Sequence, residues 1–103
     1  MSLIAVFTTT ASRDEAGTIA RAVVEQGLAA CAQVSEIESW YRWKGAVQNE
    51  PEFRVLLKTT TERYADVERA IRALHSYELP AIHAVAIGHA FEPYADWVAQ
   101  CVR

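Results

Sequence analysis

Trp40-Tyr41-Arg42-Trp43-Lys44-Gly45 places two of the chain's three tryptophans and a tyrosine within four residues. Strand-like runs flank it, Ala30–Val34 before and Phe53–Thr59 after. On an extended segment side chains alternate, so Tyr41 and Trp43 share one face and Trp40 takes the other. A single sheet covered on one side cannot bury all three. The stretch therefore reads as a strand whose aromatics serve either a core or a contact with another subunit, the two places where large aromatics concentrate.

Working outward, the extended segment runs from Ala29 to about Lys44, and its alternation slips at Ser35-Glu36, which predicts a bulge or bend. After Gly45, Asn49 and Pro51 predict a turn over Ala46–Glu52, with Phe53–Thr59 as the return strand of a hairpin. Upstream, Leu3–Thr9 is a β-branched and aromatic run ending in three threonines. Ser12 is set to cap a helix, with Glu15 completing a capping box. Ala16, Ile19, Ala20, Val23 and Val24 then recur at helical spacing until Gly27. Downstream, Thr60 or Thr61 is placed to cap a second helix carrying Tyr64, Val67, Ile71 and Leu74. Ser76–Pro80 is a loop, Ala81–Gly88 a strand, and Pro93 opens a tail helix with Tyr94, Trp97, Val98 and Cys101 on one stripe.

The order is βαβ followed by βαβ plus a tail helix, an α+β ferredoxin-like arrangement in a single domain over residues 1–103. Right-handed crossovers put the first and third strands at the centre, with the long strand and the last strand at the edges. A long edge strand loaded with aromatics calls for closed association through sheet edges.

Composition narrows the function. The 103 residues are 51% hydrophobic and 22% charged, with a net charge of -3. That balance offers no positive field for nucleic acid or an anionic membrane surface. The opening residues lack the basic region of a signal peptide, and no apolar run is long enough to span a bilayer, so neither leader nor membrane insertion is expected. Cys31 and Cys101 lie 70 positions apart, too sparse for a disulfide scaffold; reduced thiols and a cytoplasmic location are expected. Four glycines leave little room for a phosphate loop, and no nucleophile motif occurs, so the chain is read as a non-enzyme. Thr8–Thr10 with Arg13 could hold an anion at a helix N-terminus, which keeps a small acylphosphatase-like hydrolase as an alternative. A regulatory partner of a membrane protein is another.

Cys31 and His75 are candidate metal ligands, since thiolate and imidazole hold copper and zinc well. Against this, Cys31 also suits a small buried site on an alanine-rich strand, and His75 also suits the end of a helix. Glu78, in the loop beside a sheet edge, could bind a metal or pair with Lys44 or Lys58 across a subunit boundary.

Taken together, Leu28-Ala29-Ala30-Cys31, Ser39 to Gly45, Leu57-Lys58-Thr59, His75-Ser76-Tyr77-Glu78-Leu79-Pro80-Ala81-Ile82 and Tyr94-Ala95-Asp96-Trp97 resemble the CutA divalent-cation tolerance family over nearly the whole chain. The resemblance implies a homotrimer built by edge-strand pairing, a cytoplasmic location, and tolerance to copper and other divalent metals. The expected metal set is then His75, Glu78 and Cys31, with Trp40, Tyr41, Trp43, Lys58, Tyr77 and Trp97 at a ligand cleft or subunit interface. The chain departs from the family pattern at Ser76, where proline is common, and at Ser35-Glu36, where a Pro-Gly pair is common. It also carries Thr8 and Thr9 where some members have a cysteine.

Overall fold

A computed structural model describes residues 2–102. Its elements are β1 (Leu3–Thr10), α1 (Arg13–Glu25), β2 (Cys31–Trp43), β3 (Ala46–Thr60), a 3-10 turn (Thr61–Arg63), α2 (Tyr64–Leu74), β4 (Ile82–Ala86) and α3 (Glu92–Cys101). The sheet order is β2-β3-β1-β4, antiparallel throughout. The two central strands and the two edges are those the crossover rule assigned.

Alternation along β1 sorts the molecule into two layers. Ile4 and Val6 join Ile19 and Val23 of α1, Val67 and Ile71 of α2, and Val55 and Leu57 of β3 in the main core. Leu3 points the other way, into a smaller cluster with Ala30 and Val98 of α3. The two long helices thus cover one face, and α3 covers only one end of the other. Phe7, Leu56 and Ile37 lie on that second face and are only half-buried.

Helix α1 starts where Ser12 Oγ accepts from Glu15 N at 3.1 Å. It ends in a Schellman motif: Gly27 N donates to Val24 O and Leu28 N to Val23 O, with Gly27 at φ 73°. Neither threonine caps α2. The 3-10 turn intervenes, Arg63 is its N-cap without a side-chain bond, and Thr61 instead donates to the Ser2 carbonyl through both N–H and Oγ1.

Two hairpin expectations are corrected. β2 pairs with β3 in unbroken register from Cys31↔Lys58 to Trp43↔Ala46, with no bulge at Ser35-Glu36. The turn is also not at Ala46–Glu52; it is the two residues Lys44 and Gly45, at φ 51° and 81°, the paired positive angles of a type I′ hairpin. Pro51 is accommodated because β1 reaches only as far as Phe53. Beyond that point β3 has a neighbour on one side alone, so a missing N–H on the other side breaks no ladder. The hairpin consequently projects from the domain, whose principal extents are 44 × 25 × 21 Å. Among the described residues no helix is long and apolar enough to cross a membrane.

Candidate functional site

Past the end of β1, the loop from His75 to Ala81 fills the space beside the projecting hairpin. A groove of about 820 Å³ lies between them. Its hairpin wall carries Trp40, Tyr41, Arg42 and Trp43, and its loop wall carries Tyr77 and Glu78. Trp40 is 68% exposed, whereas Tyr41 and Trp43 are near the margin of exposure.

The loop is held by contacts from two elements. His75, with 1% of its side chain exposed, presents Nε2 to the Thr9 carbonyl at 2.8 Å. A carbonyl only accepts, so Nε2 carries the proton and Nδ1 is left to accept from Tyr77 N at 3.2 Å. Glu15 of α1 accepts from both Ser76 N and Ser76 Oγ at 2.8 Å. Its carboxylate is thereby drawn away from the reciprocal half of the capping box, and Ser12 caps the helix alone. Proline at position 76 would offer Glu15 neither donor.

On the hairpin, Tyr77 donates its hydroxyl to Glu52 Oε2 at 2.5 Å, Tyr41 donates to Glu50, and Asn49 donates to Glu38 at 3.1 Å. Glu50 and Glu52 follow Tyr41 on the same sheet face by alternation and register. Burial, then the hydrogen bond and negative charge of Glu52, hold the Tyr77 phenol well above its ordinary value. The hydrogen bond to Glu50 pushes the Tyr41 phenol up to about 12. Both stay neutral donors at ordinary pH.

The expected metal set does not assemble within the chain. Cys31 pairs with Lys58, which pairs with Ala5, while His75 rests on Thr9; Ala5 and Thr9 are four positions apart along β1, about 13 Å at strand rise. His75 also has both ring nitrogens engaged. Glu78 alone of the three faces the groove. No three His, Cys, Asp or Glu side chains among the described residues come together as a metal site.

Cys31 belongs to a separate cluster. Its Sγ lies 3.7 Å from Tyr94 Oη, Lys58 Nζ sits 5.9 Å from the Tyr94 ring centroid and 3.3 Å from Gln33 Oε1, and Trp97 stacks on Tyr94 at 5.9 Å. Lys58 and Trp97 therefore stand apart from Trp40, Tyr41, Trp43 and Tyr77. The anion site at Thr8–Arg13 is also occupied by internal contacts: Arg13 lies 5.0 Å over the Phe53 ring and 3.7 Å from Glu36.

Sequence reasoning passed over Glu52 and the bond from Glu15 to Ser76. Glu50-Pro51-Glu52 did carry a signal for the first, two carboxylates spaced to share a strand face with Tyr41. No local pattern marks the second, which joins residues 61 positions apart.

Residues 4–101 match the family model described as CutA1 divalent ion tolerance protein. The divalent-cation tolerance protein CutA of Thermus thermophilus is 40% identical over 92% of this chain and 93% of its own, and that of Archaeoglobus fulgidus 34% identical over 95% and 96%. A crystal structure of CutA from Xylella fastidiosa covers all of both chains with a TM-score of 0.96 at 28% identity. In fold, in chain coverage and in sequence, this protein belongs to the CutA1 divalent ion tolerance family.

Proposed function

We propose that the chain acts in divalent-cation tolerance as a non-enzymatic homotrimer. The observation that carries this is the outer edge of β2, unpaired over 13 residues, beside a sheet face on which Phe7, Leu56 and Ile37 are only half covered. A free edge that long templates pairing with another strand, and the adjoining apolar face gives a second copy surface to bury. Three copies close such an arrangement without leaving a free edge.

Within one chain His75, Glu78 and Cys31 do not come together to hold the cation, copper among the divalent ions considered. The carboxylates of the hairpin and loop, Glu38, Glu50 and Glu78, are the accessible hard donors, and copies brought together by the β2 edge would add ligands that one chain lacks. A cytoplasmic location is supported by two free cysteines, which suit a reducing compartment.

Native mass spectrometry of metal-stripped protein, with and without stoichiometric Cu(II) or Zn(II), tests both parts. A trimer that takes up an integral number of ions is the expected result. A trimer that stays empty overturns the metal part, and a monomer at micromolar concentration overturns the assembly.

A further inference from the structure

The sheet face that α3 covers only at one end carries an acid and a base that nothing in the chain answers. By alternation Glu52, Arg54, Leu56 and Lys58 of β3 share that face with Phe7. Glu52, 6% exposed, lies at one end and lines the groove, its Oε2 accepting from Tyr77. Lys58 is half-buried at the other end, its Nζ 3.3 Å from Gln33 Oε1 and 5.9 Å from the Tyr94 ring centroid. Among the described residues neither makes a salt bridge.

A carboxylate or ammonium withdrawn from water is ordinarily matched by an opposite charge, because desolvation penalises a lone one. These two cannot serve each other within one chain, since six positions of extended strand hold them about 20 Å apart. Arg54, between them, is exposed and lies 5.8 Å over the Phe7 ring, and Arg42 falls on the opposite face by alternation. An acid at one end of a half-covered apolar face and a base at the other make that face complementary to a second copy of itself. Contacts made head to tail leave one such group unmatched at each end of an open row and none in a closed ring.

We propose that Lys58 of one copy pairs with Glu52 of the next across this face. The groove is then a shared site, its buried acid supplied by one copy and its cation by another. This rests on the homotrimer reading and adds to it the pair that sets the register of the copies.

A double-mutant cycle on assembly tests it. Glu52→Gln keeps an acceptor for Tyr77, and Lys58→Gln keeps a polar group beside Gln33. Dissociation of the parent, both single variants and the double variant is followed by sedimentation over a dilution series, at the urea concentration that half-dissociates the parent. Each single variant is expected to dissociate about tenfold more readily per contact, because it leaves the other partner buried and unpaired. The double variant is expected to be no worse than either single. Positions about 20 Å apart in one chain ordinarily add, so this coupling arises from contact between copies. Lys58→Arg keeps the charge and is expected to assemble as the parent does, with circular dichroism unchanged throughout. A second measurement needs no variant: Lys44 and Lys58 are the chain's two lysines, and an amine-acetylating reagent is expected to label Lys58 far more slowly than Lys44 in the trimer. Additive effects in the double variant, parental dissociation in Lys58→Gln, or equal labelling of the two lysines in a protein that remains trimeric would overturn the pairing and leave the assembly standing. A monomeric parent would overturn both.

Discussion

At the scale of single residues, hydrogen bonds to carboxylates decide the shape of the loop. Tyr41 and Tyr77 are phenols whose neutral forms are favoured on folding, so their stabilising contribution is complete below pH 10.0, the ordinary value, and is lost as pH rises through the folded value, about 12 for Tyr41. A tyrosinate absorbance titration should show these two ionising last, and Glu50→Gln should bring Tyr41 back toward 10.0. Ser76 makes a comparable contribution from the other side of the loop. Ser76→Ala removes one donor to the Glu15 carboxylate while keeping the other, and should lower unfolding stability by about 1 kcal/mol in urea denaturation. His75 was legible as an important residue from its place at a helix end, but its role as a buried strut depends on Thr9, which comes from β1. Chemistry alone marks an imidazole as a ligand; only its neighbours show whether its nitrogens are free.

At the scale of elements, the hairpin is the part that sequence patterning placed least well. Asn49 and Pro51 are turn residues by habit, and Lys44-Gly45 competes with them for the reversal. The type I′ geometry favours the latter, since it needs left-handed angles at both positions and Gly45 adopts them without strain. Gly45→Ala should destabilise the fold by about 1 kcal/mol, whereas Lys44→Asn, a residue more at ease at positive φ, should stabilise it slightly. Thermal melts of both variants would check the pair. By contrast α1 was readable almost to the residue, because Ser12, Gly27 and the spacing of Ile19 and Val23 all act within a few positions of one another. The second helix shows the limit of that logic: Thr61 has the chemistry of a cap but spends it on the Ser2 carbonyl, a strand-end partner that local sequence does not reveal.

At the scale of the whole molecule, the uncovered sheet face and the β2 edge set what a single chain can do alone. Leu56 lies near the middle of that face, on a central strand. Leu56→Lys places a charge where one chain has only solvent beyond it but an assembly would have apolar surface. The expected outcome is dissociation, read by native mass spectrometry or sedimentation, with the circular dichroism of the chain retained. Trp43→Ala should lower the melting temperature and make it more dependent on protein concentration, as mass action requires for an associating protein. A melting temperature independent of concentration in both the parent and the variant would count against association.

Strand and helix order, the central placement of β1 and β3, and the buried core of the helices at Ile19, Val23, Val67, Ile71 and Val98 were determined by the sequence itself, whereas Leu74 and Trp97 of the same apolar stripes are exposed. They follow from periodicity, caps and crossover handedness, all of which operate over short spans or by general rule. The hairpin's unbroken register, the grip of Glu15 on Ser76, the separation of Cys31 from His75 and the burial of Glu52 beneath Tyr77 were decided only in three dimensions. Each depends on residues distant in the chain meeting across the sheet or beyond the end of β1, and no local pattern encodes where that strand stops relative to its neighbours.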